Sequence, residues 1–463
     1  MISKTDFLIY LDSPLHLWAV KNNRVENKIL DIYTQHLLEQ GYDVEELAIQ
    51  YAKEHIPQKD ILIQPTHTHE NYKARTDILI LNPNTNKWDM YEVKSSTSVK
   101  PIHRYDVTFQ YLVFKEKYDI GDTYILHLNK EYIKDGDIYL TELFISENVN
   151  EYVKKYKEEV IQERYNAYLI SKMKEGKDIP NCIKPKDCPC ISLCHPQLPE
   201  YSIYDINNLT RSEKKIRELE SMNIFDIKDV PKDFEFTSKQ RFQVNVAQSM
   251  NTYINNEDIN ERFNQLIYPL YFLDYETYGP AIPIFDGYRP FNHIVFQYSL
   301  HVKRRKDSEL EHYEYLHNQK TDPIPTLLSS LKNLLQDSGS IVVWNKTFEA
   351  TRNKDMGEIY PEFKDFTDIM NERMFDLMRI FQDQLYDDPL FKGSYSIKNV
   401  LPVLVDNLNY KGMDIGEGAT AMVSWYDMVF NDGKDIRNEL LQYCKLDTLA
   451  MVRVFEELEK KLI

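Results

Sequence analysis

The chain has 463 residues, of which 42% are hydrophobic, and a formal net charge of −17 at pH 7. This length predicts two domains and a connector. The hydrophobic residues, including 33 tyrosines, are numerous enough to form two hydrophobic cores. The acidic balance excludes a protein whose affinity for nucleic acid depends on a broad basic surface. No apolar run approaches the roughly 18 residues that span a bilayer, and no stretch has the pattern of a signal peptide, so we expect a cytoplasmic protein without a membrane partner.

The first 56 residues predict helices. Ser13 is suited to cap a helix, and Pro14 follows at the first helical position. Residues 25–38 repeat apolar side chains at helical spacing, and Glu26, early in that repeat, is a candidate for a further acid. A strand is predicted over residues 61–65.

The next stretch predicts a hairpin with charged residues on its strands. Residues 74–81 and 88–94 are strand-like, and a polar turn joins them. Asp77 lies on one strand, and Glu92 and Lys94 close the other, so the three side chains can converge. Carboxylates in such a trio would hold a metal ion, while the lysine would stabilise charge or position water. A surface hairpin with an ordinary ion pair is the alternative.

A helix bearing Gln110 follows the hairpin. The order of helix, strand, acid, Glu-x-Lys and Gln-bearing helix resembles the PD-(D/E)XK nuclease superfamily, in its RecB-like and CRISPR-associated exonuclease branch. The resemblance implies a restriction-endonuclease-like fold for residues 1–200. It also implies Mg²⁺ or Mn²⁺ bound by Asp77 and Glu92, with Lys94 as the catalytic lysine and Gln110 near the substrate.

Four of the five cysteines are clustered within residues 182–194, which neither packing nor a cytosolic disulfide explains well. They are Cys182, Cys188, Cys190 and Cys194. The RecB-like resemblance implies an iron–sulfur cluster whose first cysteine lies near the N-terminus, but Ser13 stands at that position. Cys188 and Cys190 are separated by one residue, a tight fit for two ligands of one centre. An iron–sulfur cluster, a zinc site and a metal-free remnant therefore all stay open.

Residues 201–265 are polar and predict a helical connector. Beyond them, the basic run 303–306 predicts a solvated loop, with a local nucleic-acid groove as the alternative. No Gly-rich phosphate loop and no internal repeat is found in the sequence.

The most informative stretch is residues 271–277, an apolar strand that carries Asp274 and Glu276. Side chains alternate along a strand, so both carboxylates lie on one face. Two neighbouring anions raise each other's pKa unless a cation lies between them, which predicts a divalent-metal site. A solvated strand end with chance acids is the alternative.

Two later segments add to this acidic pair. A strand over residues 340–344 leads into Glu349 at the head of a helix, with Asp376 as a weaker substitute for it. In the last helix Tyr443 and Asp447 are four residues apart and share a face. Cys444, beside them, is expected to be a buried small apolar residue.

The order Asp-x-Glu, Asn-x-x-x-acid and Tyr-x-x-x-Asp resembles the DnaQ-like (DEDD) exonuclease superfamily, in its tyrosine variant. The resemblance implies a ribonuclease-H-like fold for residues 266–463 and 3′ to 5′ exonucleolysis. It implies that Asp274, Glu276 and Asp447 hold Mg²⁺ or Mn²⁺ and that Tyr443 orients the attacking water. The second motif usually ends in aspartate, whereas Glu349 is one methylene longer.

The full arrangement resembles a bacterial family of unassigned function that fuses a RecB-like domain to a DnaQ-like domain. The predicted fold class is therefore α/β, with a PD-(D/E)XK domain, a helical connector and a ribonuclease-H-like domain. The predicted function is hydrolysis of DNA single strands or ends by a metal-dependent nuclease, in repair or defence. The alternatives are a catalytically impaired nucleic-acid-binding protein and an RNA-processing 3′ exonuclease.

Overall fold

The computed structural model describes residues 1–25, 30–413 and 415–462. Glu26, the candidate acid of the N-terminal helices, lies outside the described residues. The described part is a mixed α/β protein, as predicted, with several β-sheets and many helices. Within it, no helix combines the length and the apolarity needed to cross a membrane.

The chain divides into two compact units. Unit 1 comprises Met1–Gln197 and Pro280–Phe291, and unit 2 comprises Leu198–Gly279 and Asn292–Ile463. Residues 201–265, expected to be a connector, are part of unit 2.

Residues 280–291 belong to unit 1, although they were predicted to be part of the C-terminal domain 266–463. Backbone hydrogen bonds account for this placement. The amide of Gly287 donates to the carbonyl of Lys134 at 2.8 Å, and the amide of Lys134 donates to the carbonyl of Tyr288 at 3.0 Å. These bonds join segments about 150 residues apart in sequence, which local periodicity does not reveal.

Unit 1 contains both strands and helices. Its strands are β1 (Ile2–Ser3), β2 (Asp60–Ile63), β3 (Thr66–His69), β4 (Tyr72–Arg75), β5 (Ile78–Leu81), β6 (Trp88–Lys94), β7 (Ile120–Leu128) and β8 (Phe144–Asn148). Its helices are α1 (Lys4–Asp12), α2 (Pro14–Lys21), α3 (Ile32–His55), α4 (Pro101–Phe114), α5 (Leu140–Leu143), α6 (Asn150–Lys172) and α7 (Ile191–Cys194).

The main sheet of unit 1 has the order β2-β5-β6-β7-β8, and a smaller sheet has the order β1-β4-β3. The predicted hairpin is confirmed, because β5 and β6 pair antiparallel. The strand predicted over residues 74–81 is instead two strands, β4 and β5, in different sheets. Helix α4 connects β6 to the parallel strand β7, and its apolar face, with Phe109 stacked 4.9 Å from Phe7, packs in the core.

Unit 2 begins with helices and continues into a five-stranded sheet. Its strands are β9 (Tyr253–Ile254), β10 (Leu270–Tyr278), β11 (Ile294–Lys303), β12 (Leu310–Leu316), β13 (Ser340–Val343), β14 (Met374–Asp376) and β15 (Tyr386–Asp387). Its helices are α8 (Glu213–Ser221), α9 (Ser238–Ser249), α10 (Asn256–Phe263), α11 (Ile324–Leu334), α12 (Lys346–Ile359), α13 (Lys364–Glu372), α14 (Arg379–Gln382), α15 (Ile397–Leu404), α16 (Gly418–Phe430) and α17 (Arg437–Lys461).

The main sheet of unit 2 has the order β12-β11-β10-β13-β14, with β10 at its centre, and β15 pairs with β9 in a smaller sheet. Strand β10 pairs antiparallel with β11 and parallel with β13, so its predicted strand character is confirmed. The last helix, α17, packs on this sheet, and Phe455 lies 5.7 Å from Phe272 between ring centroids. This packing places one face of α17 over the charged end of β10.

Candidate metal and catalytic sites

Asp274 and Glu276 lie on one face of β10, two residues apart. Together with Cys444 of α17 they form a group whose ligand atoms all lie within 4.8 Å of one another. Glu276 is 8% exposed, and Asp274 is partly exposed. The alternation of the strand brings the two carboxylates together, and the packing of α17 adds the third side chain.

These acids open into a cavity of about 260 Å³, here called the acid pocket. Elements β10, α12, α15 and α17 contribute to its wall. Its lining residues are Asp274, Tyr275, Glu276, Trp344, Asn345, Phe348, Glu349, Ile397, Lys398, Tyr443, Asp447 and Met451. Four carboxylates thus face one cation, Lys398, among the residues that line it.

Burial and mutual repulsion raise the pKa values of these acids. Burial raises the pKa of Asp274 well above its usual value, and the charges of Asp447, Glu276 and Glu349 add to the rise. Burial also raises the pKa of Asp447 to about 6, even though a hydrogen bond from Tyr410 acts in the opposite direction. Carboxyl groups in this state are stabilised as anions when a divalent cation binds between them.

Glu349 lies in the first turn of α12, is 3% exposed and lines the acid pocket. Burial raises its pKa to about 8. Its Oε2 is buried and accepts no hydrogen bond from the described residues. Burying an oxygen without a hydrogen-bond donor costs free energy, and this oxygen is therefore well suited to act as a ligand of a cation. Asp376, the substitute considered for Glu349, ends β14 and does not line the pocket.

Tyr443 and Asp447 are one turn apart on α17, and both line the acid pocket. A second tyrosine, Tyr410, was not predicted; its hydroxyl donates to Oδ1 of Asp447 at 2.5 Å. Burial raises the pKa of Tyr443, and the charge of Asp447 raises it further, so the phenol keeps its proton near neutral pH.

Lys398 lies at the start of α15. It was not predicted as a site residue. Its Nζ donates to the carbonyl of Gly416 at 2.6 Å and lies 5.4 Å from the ring centroids of both Tyr410 and Tyr443. Burial raises the pKa of Glu276 well above its usual value, and the charge of Lys398 acts against that rise. No local signal pointed to Tyr410, because it lies outside any helix or strand.

Cys444 is buried, as expected, but it packs against charge rather than apolar groups alone. Its Sγ lies 3.8 Å from Oδ2 of Asp274. Burial, followed by the charge of Asp274, raises the pKa of this thiol well above its usual value. It is therefore a protonated thiol, which acts as a weak donor towards the carboxylate.

The predicted residues of unit 1 also come together, in what we call the ion-pair cluster. It comprises Lys4, Glu92, Lys94, Asp106 and Gln110. Nζ of Lys94 donates to Oε1 of Glu92 at 2.6 Å and to Oδ2 of Asp106 at 2.5 Å. Nζ of Lys4 donates to the same Oε1 at 2.7 Å. Nε2 of Gln110 donates to Oε2 of Glu92 and to Oδ1 of Asp106, both at 2.8 Å.

Asp77 lies just before β5, next to the ion-pair cluster, and its Oδ2 accepts a hydrogen bond from the amide of Val93 at 2.7 Å. Burial and the charge of Glu92 raise its pKa well above the usual value. Lys4 and Asp106 were not predicted. Asp106 could have been predicted from its position one helical turn before Gln110, which places both side chains on one face of the helix. Nothing in the sequence linked Lys4 to the hairpin.

The four clustered cysteines are all buried in a small apolar core with Leu15 and Trp18 of α2. The Sγ atoms of Cys188 and Cys194 lie 3.7 Å apart. Burial raises the pKa of Cys182 and of Cys190 to about 11. Ser13, at the position of the missing first cysteine, caps α2 by accepting from the amide of His16 at 3.4 Å.

The basic run 303–306 lies at the turn between β11 and β12, and acidic partners neutralise three of its residues. Lys303 pairs with Glu456 at 2.8 Å, and Arg304 pairs with Glu311 at 2.9 Å. Lys306 and Glu459 are 3.7 Å apart. These pairs favour the solvated loop over a nucleic-acid groove, because the charges are already compensated.

Comparisons with known proteins identify one matching family model and three curated relatives. Residues 271–396 match the family described as "Domain of unknown function (DUF2779)". The matched segment contains Asp274, Glu276 and Glu349, whereas Tyr443 and Asp447 lie beyond its end.

Three curated relatives share 26–29% identity with this chain. The uncharacterized protein UU173 of Ureaplasma parvum is 29% identical over 218 residues, which are 42% of this chain and 31% of the relative. The uncharacterized protein MG366 homolog of Mycoplasma pneumoniae is 28% identical over 208 residues, 40% of this chain and 31% of the relative. The uncharacterized protein MG366 of Mycoplasma genitalium is 26% identical over 215 residues, 42% of this chain and 32% of the relative.

The chain spans about a third of the length of the curated relatives it matches. A solved structure titled "Crystal structure of SSO0001" covers 43% of this chain and 87% of that chain, at 13% identity and a TM-score of 0.25. A superposition at this score carries no argument about the fold.

Proposed function

We propose that the protein is a metal-dependent nuclease whose acid pocket hydrolyses phosphodiester bonds of DNA, at single strands or ends, in the 3′ to 5′ direction. The observation that carries the proposal is the convergence of Asp274, Glu276, Glu349 and Asp447 from three separate elements on one cavity. Such a concentration of buried carboxylates is costly unless the site serves to bind cations.

The residues of the acid pocket fit divalent cations. Their ligands are hard oxygens, and one of them, Oε2 of Glu349, is buried without a donor among the described residues. Asp274, Glu276 and Asp447 would hold Mg²⁺ or Mn²⁺, with Glu349 as a further ligand. When bound, the ions would supply Lewis-acid activation of water and neutralise charge on the phosphate.

The other polar residues of the pocket position and balance charge. Tyr443 keeps its phenolic proton, so its role is to orient the attacking water by a hydrogen bond rather than to remove a proton. Tyr410 holds Oδ1 of Asp447 by a hydrogen bond and so fixes the orientation of this carboxylate. The ammonium of Lys398 faces the substrate as the cation that contacts the phosphate backbone.

Three finer assignments belong to the same proposal. Unit 2 is assigned a ribonuclease-H-like fold and unit 1 a PD-(D/E)XK fold, and the location is assigned to the cytoplasm. The clustered cysteines would hold either an iron–sulfur cluster or zinc, which is supported by their shared burial and the 3.7 Å approach of Cys188 to Cys194. Metal analysis and the visible absorbance of the purified chain distinguish these two from each other and from a metal-free remnant.

The test is degradation of 5′-labelled single-stranded and duplex DNA and RNA with Mg²⁺ or Mn²⁺, for wild type and Asp274→Asn. We expect a ladder of shortened DNA from the wild type and none from the variant, because the neutral amide is a poorer cation ligand. A 3′-labelled substrate should release its label as a mononucleotide at the first cleavage.

The other outcomes separate the alternatives. Faster degradation of RNA would favour the RNA-processing 3′ exonuclease. Binding of labelled strands without cleavage, by wild type and Asp274→Asn alike, would favour the catalytically impaired nucleic-acid-binding protein. Cleavage by Asp274→Asn at the rate of the wild type would contradict the assignment of the acid pocket.

A further inference from the structure

The family resemblance implies a divalent metal ion at Asp77 and Glu92, but the residues around them do not fit one. Oε1 of Glu92 accepts from both Lys4 and Lys94, which uses its two lone pairs. Oε2 of Glu92 accepts from Gln110. A metal ion at this carboxylate would have to displace an ammonium group or lie beside two of them.

Asp106 is engaged in the same way. Its Oδ2 accepts from Lys94 at 2.5 Å, and its Oδ1 accepts from Gln110 at 2.8 Å and lies 3.8 Å from Nζ of Lys4. The side chains of Glu92 and Asp106 are each 2% exposed. Both buried carboxylates therefore have partners from the chain itself, in contrast to Glu349 of the acid pocket.

Lys4 is held in place by the backbone on both sides. Strand β1 pairs parallel with β4, with Ser3 opposite Lys73. Ser3 then caps α1, where its hydroxyl accepts from the amide of Asp6 at 3.1 Å and its own amide donates to Oδ2 of Asp6 at 2.7 Å. The capping box fixes the first turn of the helix, and Lys4 is the first residue of that turn. The backbone therefore fixes the position from which the Lys4 ammonium reaches the ion-pair cluster.

We propose that the ammonium groups of Lys4 and Lys94 neutralise the acidic residues of unit 1 in place of a divalent cation, so that unit 1 holds no hydrolytic metal. The charges support this directly. Burial opposes the charged form of each lysine, yet Glu92 and Asp106 outweigh it and raise the pKa of both Lys4 and Lys94. The same lysines lower the pKa of Glu92 against the effect of its burial. The network is therefore charged and self-compensated.

The experiment counts Mn²⁺ ions bound to the full chain by electron paramagnetic resonance and calorimetric titration. The variants are Glu92→Gln, Lys4→Met, the double variant Lys4→Met/Glu92→Gln, and Lys21→Met as matched control. Lys21 also pairs with a buried acid, Asp6, and its side chain is 26% exposed against 25% for Lys4.

We expect Glu92→Gln to bind as many Mn²⁺ ions as the wild type. Lys4→Met should bind one further ion, which the double variant should lose again, while Lys21→Met should match the wild type. Loss of an ion in Glu92→Gln, or no further ion in a folded Lys4→Met, would overturn the proposal.

If Lys4→Met does not fold, the number of Mn²⁺ ions bound by wild type, Glu92→Gln and Asp77→Asn is sufficient to test the proposal. Equal ion counts support the proposal, and a lower count in either variant overturns it. Because the readout is the difference between proteins that share the same acid pocket, it does not depend on whether that pocket cleaves nucleic acid.

Discussion

The two acidic clusters of this protein have similar residues but differ in the number of cations that accompany their acids. In unit 1, Glu92 and Asp106 share two ammonium groups and one amide, all within 2.8 Å of a carboxylate oxygen. In unit 2, four carboxylates and one lysine, Lys398, are among the residues that line the acid pocket, and Oε2 of Glu349 has no donor among the described residues. The difference shows that the requirement for a cation depends on the neighbouring partners and not on the number of acids.

The largest effect should come from removing one carboxylate in each cluster. Asp447→Asn should lower the rate of hydrolysis at least about a thousandfold, because a ligand of the reacting centre is lost. Asp106→Asn, the matched change in unit 1, should leave the rate unchanged. Initial rates on labelled DNA at saturating Mg²⁺ measure both, and the reverse pattern would assign hydrolysis to unit 1.

A second effect concerns stability and should be confined to unit 1. Glu92→Gln leaves two lysines without their shared anion and should reduce local stability by about 3 kcal/mol. Glu46→Gln, at an exposed position of α3, should change it by no more than about 0.5 kcal/mol. Hydrogen exchange resolved on β6 and α4 measures the difference. Unchanged exchange in Glu92→Gln would show that the cluster adds no stability.

The two tyrosines beside Asp447 should have separable roles. Tyr443→Phe removes the hydroxyl that orients water and should lower kcat by about tenfold to a hundredfold. Tyr410→Phe removes the hydrogen bond to Asp447 and should mainly raise the Mg²⁺ concentration needed for half the maximal rate. Titration of the rate with Mg²⁺ separates the two, and identical titration curves for the variants would contradict the assignment.

The smallest effect should be the pH dependence of cation binding. The pKa values of Asp447 and Glu349 are raised to about 6 and about 8, so a bound cation must displace their protons. Mn²⁺ affinity should therefore rise with pH, by up to about tenfold per unit for each proton released. Without cation, the free energy of unfolding should fall as pH rises through this window, because the unfolded chain releases these protons at lower pH.

Calorimetric titration between about pH 5.5 and pH 8.5 measures this dependence. Glu349→Gln should weaken the pH dependence of Mn²⁺ affinity at the upper end of this pH range, because the group that titrates near pH 8 is then absent. A dependence unchanged by Glu349→Gln would show that this residue is not coupled to the bound cation.

Much of the acid pocket followed from local pattern. The apolar run before Asp274 predicted β10, and the two-residue spacing placed Glu276 on the same face. The four-residue spacing of Tyr443 and Asp447 placed both on one side of α17. The hairpin of unit 1 followed in the same way from its turn residues and strand-like flanks.

Other features had no local signature. Lys4 meets Glu92 across 88 residues of chain, and Tyr410 meets Asp447 across 37. The placement of residues 280–291 in unit 1 depends on backbone bonds to Lys134. Cys444 was expected to be a buried small apolar residue, and it is buried, but the packing of α17 on β10 also sets its thiol against Asp274.

Periodicity in the chain thus settled which elements form and which of their faces carry acids, since side-chain direction follows from the backbone of a single helix or strand. The assembly of distant segments settled whether those acids pair with lysines, with tyrosines or with a cation from solution. Electrostatic compensation acts through space over a few ångströms, and a linear sequence does not record which distant charges come that close.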